Sequence, residues 1–179
     1  MFRKAQSGFT LIEMTIIIVV LGILAAAGIP RFINMSTDAL RSSVAGTAAS
    51  LQEAVIMMQA AVTAKGLRGP LNNVTGFGDG TVDINSVGFP ADTTSANPVN
   101  NDAMTNAKCL NVWNGILQNP PTVTTSAAVY SATNPQDYRA QVAGAGINRL
   151  CRYTYRKVAS PVRRFDYYVN TGRVIVTNP

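Results

Sequence analysis

The 179-residue sequence contains no histidine. That removes the side chain that titrates near neutral pH and most often serves as general base or metal ligand. Serine-histidine-aspartate hydrolysis and most zinc sites are excluded with it. Acidic residues are also scarce: nine Asp+Glu stand against fifteen Lys+Arg. Six of those nine lie after residue 66, in no arrangement that suggests acid–base catalysis. There are two cysteines, Cys109 and Cys151, and no C-x-x-C pair for redox or metal chemistry. No cofactor, no metal and no enzymatic activity are therefore expected. Disorder is excluded as well, because 47% of the residues are apolar. The length suits one domain or at most two.

The apolar residues are concentrated at one end. Residues 9–30 hold 16 apolar residues in 22 and one charge, Glu13. A basic head, residues 1–8, precedes them and carries Arg3 and Lys4. As a helix, Phe9 to Pro30 would be about 33 Å long, close to the hydrocarbon thickness of a bilayer. The basic flank should stay cytoplasmic, which puts residues 31–179 outside. Two readings compete at this point. One is a cleaved secretory signal with Ala25-Ala26-Ala27 as its cleavage site. The other is a retained membrane helix. Glu13 bears on the choice, since a carboxylate inside an apolar span is costly and a disposable signal gains nothing from it.

The run Gly8-Phe9-Thr10-Leu11-Ile12-Glu13-Met14, behind a short basic leader, resembles the class III signal of type IV pilins and pseudopilins. The resemblance implies cleavage between Gly8 and Phe9 by a prepilin peptidase, N-methylation of Phe9 by the same enzyme, and an assembly role for Glu13. Gly22 and Pro30 fall where that family places a helix-loosening glycine and a helix-kinking proline. Pro30 removes one helical hydrogen bond in any case. Glu13 lies four residues after the new terminus, on the same helix face. It can pair with its own terminus or, in a fibre, with a neighbour's. A glycine at position 8 leaves the backbone open to a peptidase that grips it extended.

From Phe32 to Ala64 the pattern is amphipathic. Val44, Ala48, Leu51, Val55, Met58 and Val62 step by threes and fours along one face. Arg41, Ser42, Gln52, Glu53 and Gln59 fall on other faces, and Met57 and Met58 read as packing residues. Lys65-Gly66 is a stop signal. The apolar half of this helix has no soluble-domain partner in the chain. It must be buried in lipid or in other subunits, which is the sequence argument for a polymer.

Residues 67–100 read as a long loop with short strands, the best being Thr81 to Ile84. Asp83 to Gly88 begins like a calcium loop but has no oxygen ligand at Val87, and Thr94 stands where a bidentate glutamate belongs. A hairpin is the better reading. Residues 102–118 look helical, capped by Asp102, with Cys109, Trp113, Ile116 and Leu117 on one face. Residues 122–148 read as a weakly patterned connection. Cys151 to Tyr155, Val162 to Val169 and Arg173 to Thr177 read as an antiparallel meander packed on the amphipathic helix. An oxidising compartment favours a Cys109–Cys151 disulfide, closing a loop of about 43 residues.

The most basic stretch contains Arg152, Arg156, Lys157, Arg163 and Arg164, with Tyr153, Tyr155, Tyr167 and Tyr168 interleaved. It is a candidate surface for DNA or an anionic polysaccharide, or simply a solvated strand face with core tyrosines.

The expected fold is α+β, a long N-terminal helix against a small antiparallel sheet. The expected divisions are a leader (1–8), a membrane and polymerisation half of the helix (9–30), an amphipathic half (31–65) and a globular head (66–179). The resemblance implies a homopolymer, an inner-membrane assembly platform, a single-pass precursor in the bacterial inner membrane and an extracellular pilus for attachment and biofilm formation. Within the family, the chain length, the cysteine pair and the C-terminal tyrosine-and-arginine strands resemble the mannose-sensitive haemagglutinin pilins. The alternatives are a type II secretion pseudopilin and a pilus subunit that binds DNA or polysaccharide through its basic face.

Overall fold

The computed structural model describes residues 8–94 and 103–178. Helix α1 (Leu11–Ala64) is continuous over 54 residues, with Pro30 inside it. The chain divides between Leu40 and Arg41 into two compact units.

In the first unit the helix is apolar on every side. Leu11 is 86% exposed and Phe32 73%, and Ile12, Met14 and Ile16 to Leu21 are exposed between them. A helix that is apolar all round belongs in lipid or among other helices. Among the described residues α1 is the one helix long and apolar enough to cross a membrane.

In the second unit the remainder of α1 supplies one wall of the core. Val44, Ala48, Leu51, Val55, Met58 and Val62 are all buried, as their spacing predicts. Met58 packs in the core as expected, but Met57 is 66% exposed. One residue is a 100° step around a helix, enough to carry Met57 out of the buried stripe.

The rest of the core comes from two short sheets and a second helix. Strands β1 (Asp83–Ile84) and β2 (Pro90–Asp92) form an antiparallel hairpin. The expected strand at Thr81 is shorter than its hydrophobic pattern, because Asp79 Oδ1 accepts from both the backbone N–H and the hydroxyl of Thr81 and closes a turn there. The oxygens of the calcium-like stretch are used within the fold. Asp83 accepts from the Asn73 N–H, and Asn85 Oδ1 accepts from the Val87 and Phe89 N–H groups.

Helix α2 (Asn106–Ile116) is shorter than the expected 102–118. Its N-cap is Thr105, whose hydroxyl accepts from the Lys108 N–H; the proposed cap, Asp102, lies outside the described residues. Cys109, Val112, Trp113 and Ile116 are its buried face, whereas Leu117 has left the helix and caps it.

The main sheet has five strands: β3 (Val123–Thr124), β4 (Tyr138–Ala143), β5 (Leu150–Tyr155), β6 (Arg164–Tyr168) and β7 (Arg173–Thr177), in sequence order. The last four are antiparallel neighbours, and β3 pairs parallel with β4. The expected C-terminal meander is present. Strand β4, within a stretch that reads as a connection, is a correction. Its inward residues include Ala140, so the apolar alternation that marks a strand is faint in the sequence.

The inner face of the sheet is aromatic. Trp113 from α2 lies 5.0 Å from Tyr138, 4.8 Å from Tyr153 and 6.0 Å from Phe165, centroid to centroid. These contacts add specific ring geometry to simple burial. Trp113 Nε1 donates to the Pro121 carbonyl at 2.9 Å, so its one polar atom is satisfied. The β6–β7 turn closes through Gly172, which has φ +68° and faces the Phe89 ring. A side chain there would be strained in the backbone and would strike the ring.

Candidate functional site

The N-terminal site is built from four consecutive residues. Thr10 precedes the first turn of α1. Its hydroxyl accepts from the Glu13 N–H at 3.3 Å. In return Glu13 Oε2 accepts from the Thr10 N–H at 2.8 Å and from the Thr10 hydroxyl at 2.7 Å. This is a reciprocal capping box. It satisfies orphan donors of the first turn and places a carboxylate where the helix dipole favours one. The partner of Glu13 within the chain is therefore Thr10. Its signal in the sequence is the T-x-x-E spacing at the head of the apolar run.

Among the described residues nothing crowds the glycines of the apolar segment: a methyl group placed on Gly8, Gly22 or Gly28 meets no atom within 4 Å.

In the head, Cys109 of α2 and Cys151 of β5 form a disulfide with Cα atoms 5.3 Å apart. It ties the second helix to the middle of the sheet beside Tyr153, whose hydroxyl donates to the Cys109 carbonyl at 2.8 Å.

The five basic residues singled out in the sequence do not lie on one face. Arg152 makes a bidentate pair with Asp166, Nε to Oδ1 at 2.8 Å and Nη2 to Oδ2 at 2.7 Å, and the carboxylate raises the guanidinium pKa above its ordinary value. Arg156 donates to the Gln136 and Ala128 carbonyls. Lys157 pairs with Asp137 at 2.6 Å, and the hydrogen bond to that carboxylate holds its pKa above the usual lysine value. Arg163 is 2% exposed, on the inner side of the sheet, while Arg164 is half-buried on the outer side. The interleaved tyrosines also separate. Tyr153 and Tyr167 are fully buried and are core residues, not stacking platforms. Among the described residues no group of three or more Cys, Asp or Glu side chains is placed to hold a metal ion.

With this geometry in place, residues 3–29 match the family described as the prokaryotic N-terminal methylation motif. By its N-terminal segment the chain is similar to type IV pilins. Over 60 residues it is 45% identical to the type IV narrow pilus major component PilA5 of Thermus thermophilus. That match covers 34% of this chain and 50% of the relative, so the chain spans about half the length of the pilin it resembles. No solved structure matches the chain. The architecture, a long N-terminal helix followed by small sheets, is α+β and consistent with the pilin fold.

Proposed function

We propose that this chain is a structural subunit of a type IV pilus, polymerised through the apolar half of α1. One observation carries the reading: a helix exposed and apolar on all sides from Leu11 to Phe32, bearing a single carboxylate at Glu13, with the methylation motif over residues 3–29. Before assembly that segment sits in the bacterial inner membrane as a single pass, with the head outside the cytoplasm. A prepilin peptidase cuts between Gly8 and Phe9 and methylates Phe9. The assembly platform then moves the helix from lipid into the fibre core, where other copies bury it.

Glu13 has two successive partners in this scheme. In the precursor the Thr10 capping box holds it. Cleavage creates an amine at Phe9, and a carboxylate in an apolar fibre core needs a cation close by. Pairing with the terminus of a neighbouring subunit supplies one and sets the register. Pro30 marks a point where the helix lacks a backbone donor and can bend during the transfer.

The Cys109–Cys151 bridge favours a pilus over a type II secretion pseudopilin, whose major members generally lack such a pair. Attachment and biofilm formation are the roles that follow from a surface fibre of the kind the mannose-sensitive haemagglutinin pilins form.

The test is Glu13→Ala in a piliated host. The variant is expected to be processed and membrane-inserted at normal levels, yet to yield few fibres on shearing. Normal fibre yield would defeat the pairing account.

A further inference from the structure

The register of the main sheet creates a charged row that the sequence does not show. Arg139 of β4 lies opposite Thr154 of β5, Thr154 opposite Arg164 of β6, and Arg164 opposite Thr177 of β7. Their neighbours Tyr138, Tyr153 and Phe165 are buried, so by strand alternation this row is on the outer face. Arg139 and Arg164 stand two strand spacings apart, about 9–10 Å at the backbone. The adjacent row is different: there Arg152 is already neutralised by Asp166. Among the described residues neither Arg139 nor Arg164 has a carboxylate partner, and the Nε of each has no hydrogen bond.

One end of the row opens into a groove of about 240 Å³, lined by Val129, Tyr130 and Val162 together with Arg139 and Thr154. Val129 is 84% exposed, and Tyr130 and Val162 are partly exposed. The wall is built rather than loose. The Arg156 guanidinium donates to the Gln136 carbonyl at 2.8 Å and to the Ala128 carbonyl at 2.7 Å, holding the segment that presents Val129 and Tyr130.

We propose that this corner of the sheet binds the carboxylated sugars of an anionic polysaccharide. A uronic sugar ring has an apolar C–H face that suits Tyr130 and the two valines. Its hydroxyls suit Thr154, and its carboxylate suits the planar fork of an arginine. A second arginine two strands away reaches the next charged sugar of the same polymer. Nucleic acid fits less well. Single strands are held by several stacking aromatics in succession; of the two tyrosines that line the groove, Tyr155 is packed edge-on against the core residue Tyr138, which leaves Tyr130 to stack. Major-groove readout inserts a helix or a two-stranded ribbon into a groove about 12 Å wide, and a five-stranded sheet at about 4.8 Å per strand is too broad to enter it. The inference concerns the head alone and stands apart from fibre assembly.

The experiment measures binding of the full chain in detergent micelles to immobilised polygalacturonate, neutral dextran and duplex DNA. Polygalacturonate is expected to bind and dextran not. Arg139→Ala with Arg164→Ala should weaken binding at least about tenfold, the scale of one charge-assisted hydrogen bond. Tyr130→Ala, in an exposed loop where folding is not at risk, should weaken it several-fold. Arg173→Ala removes one positive charge from the far end of the same face and should leave binding nearly unchanged. The proposal is overturned if polygalacturonate does not bind, if Arg173→Ala weakens binding as much as the double variant, or if DNA binds better and Tyr130→Ala has no effect.

Discussion

Gln52 of the long helix and Val174 of the last strand are joined as two strands would be. The Val174 N–H donates to Gln52 Oε1 at 2.7 Å, and Gln52 Nε2 donates to the Gly172 carbonyl at 2.9 Å. A side-chain amide thus supplies the donor and acceptor that a sixth strand would supply. It covers part of the edge of β7, which is otherwise an open template for pairing, and it ties the C-terminus to α1 across 122 residues of sequence.

Gln52→Ala removes both bonds and leaves the strand edge open. A loss of about 1–3 kcal/mol of stability is expected from two hydrogen bonds, together with faster amide exchange at Val174. Thermal melts and hydrogen exchange check it. An unchanged melt with unchanged exchange would show that the contact contributes nothing.

The disulfide is the other long-range tie. Converting Cys109 and Cys151 together to alanine should cost on the order of 4 kcal/mol, from the entropy of the loop they close. The double variant should melt earlier, and the wild-type chain should shift the same way under reductant. A wild-type melt that ignores reductant would mean the bridge is not a stabilising element.

The buried phenols give the head an alkaline limit. Burial raises the pKa of Tyr153 and of Tyr167 above the ordinary 10.0. The folded state therefore keeps protons that the unfolded state releases. This contribution is fully present below about pH 10 and falls as the pH rises further. Tyr153→Phe should lose the bond to Cys109 and melt earlier at neutral pH, but its melting temperature should fall less steeply above pH 10 than that of the wild type. Parallel pH slopes for the two proteins would contradict the assignment.

Much of this was legible in the residues because the signals were periodic or dense. The buried stripe from Val44 to Val62 follows helix spacing, and the three C-terminal strands alternate between turn signals. Strand β4 was not legible, since Ala140 and Ala143 give little apolar contrast and its pairing with β5 is a tertiary fact. The role of Gln52 was hidden for a similar reason: a glutamine off the apolar stripe reads as solvated until the strand edge beside it is known. The basic stretch was legible as composition but not as a surface. Strand alternation buries Arg163 and keeps Arg164 out, and the register adds Arg139, which lies thirteen residues before Arg152. The leader residues Arg3 and Lys4 lie outside the described residues, so their part in the account rests on the sequence motif.

The central claim is that the chain is matured at Gly8-Phe9 and built into a fibre through the helix that follows. Mass spectrometry of the mature N-terminus tests it most directly. The account predicts a chain that begins at an N-methylated Phe9. A chain that begins after Ala27 would mean that the apolar segment is a discarded secretory signal, and the fibre would have no helix to assemble through.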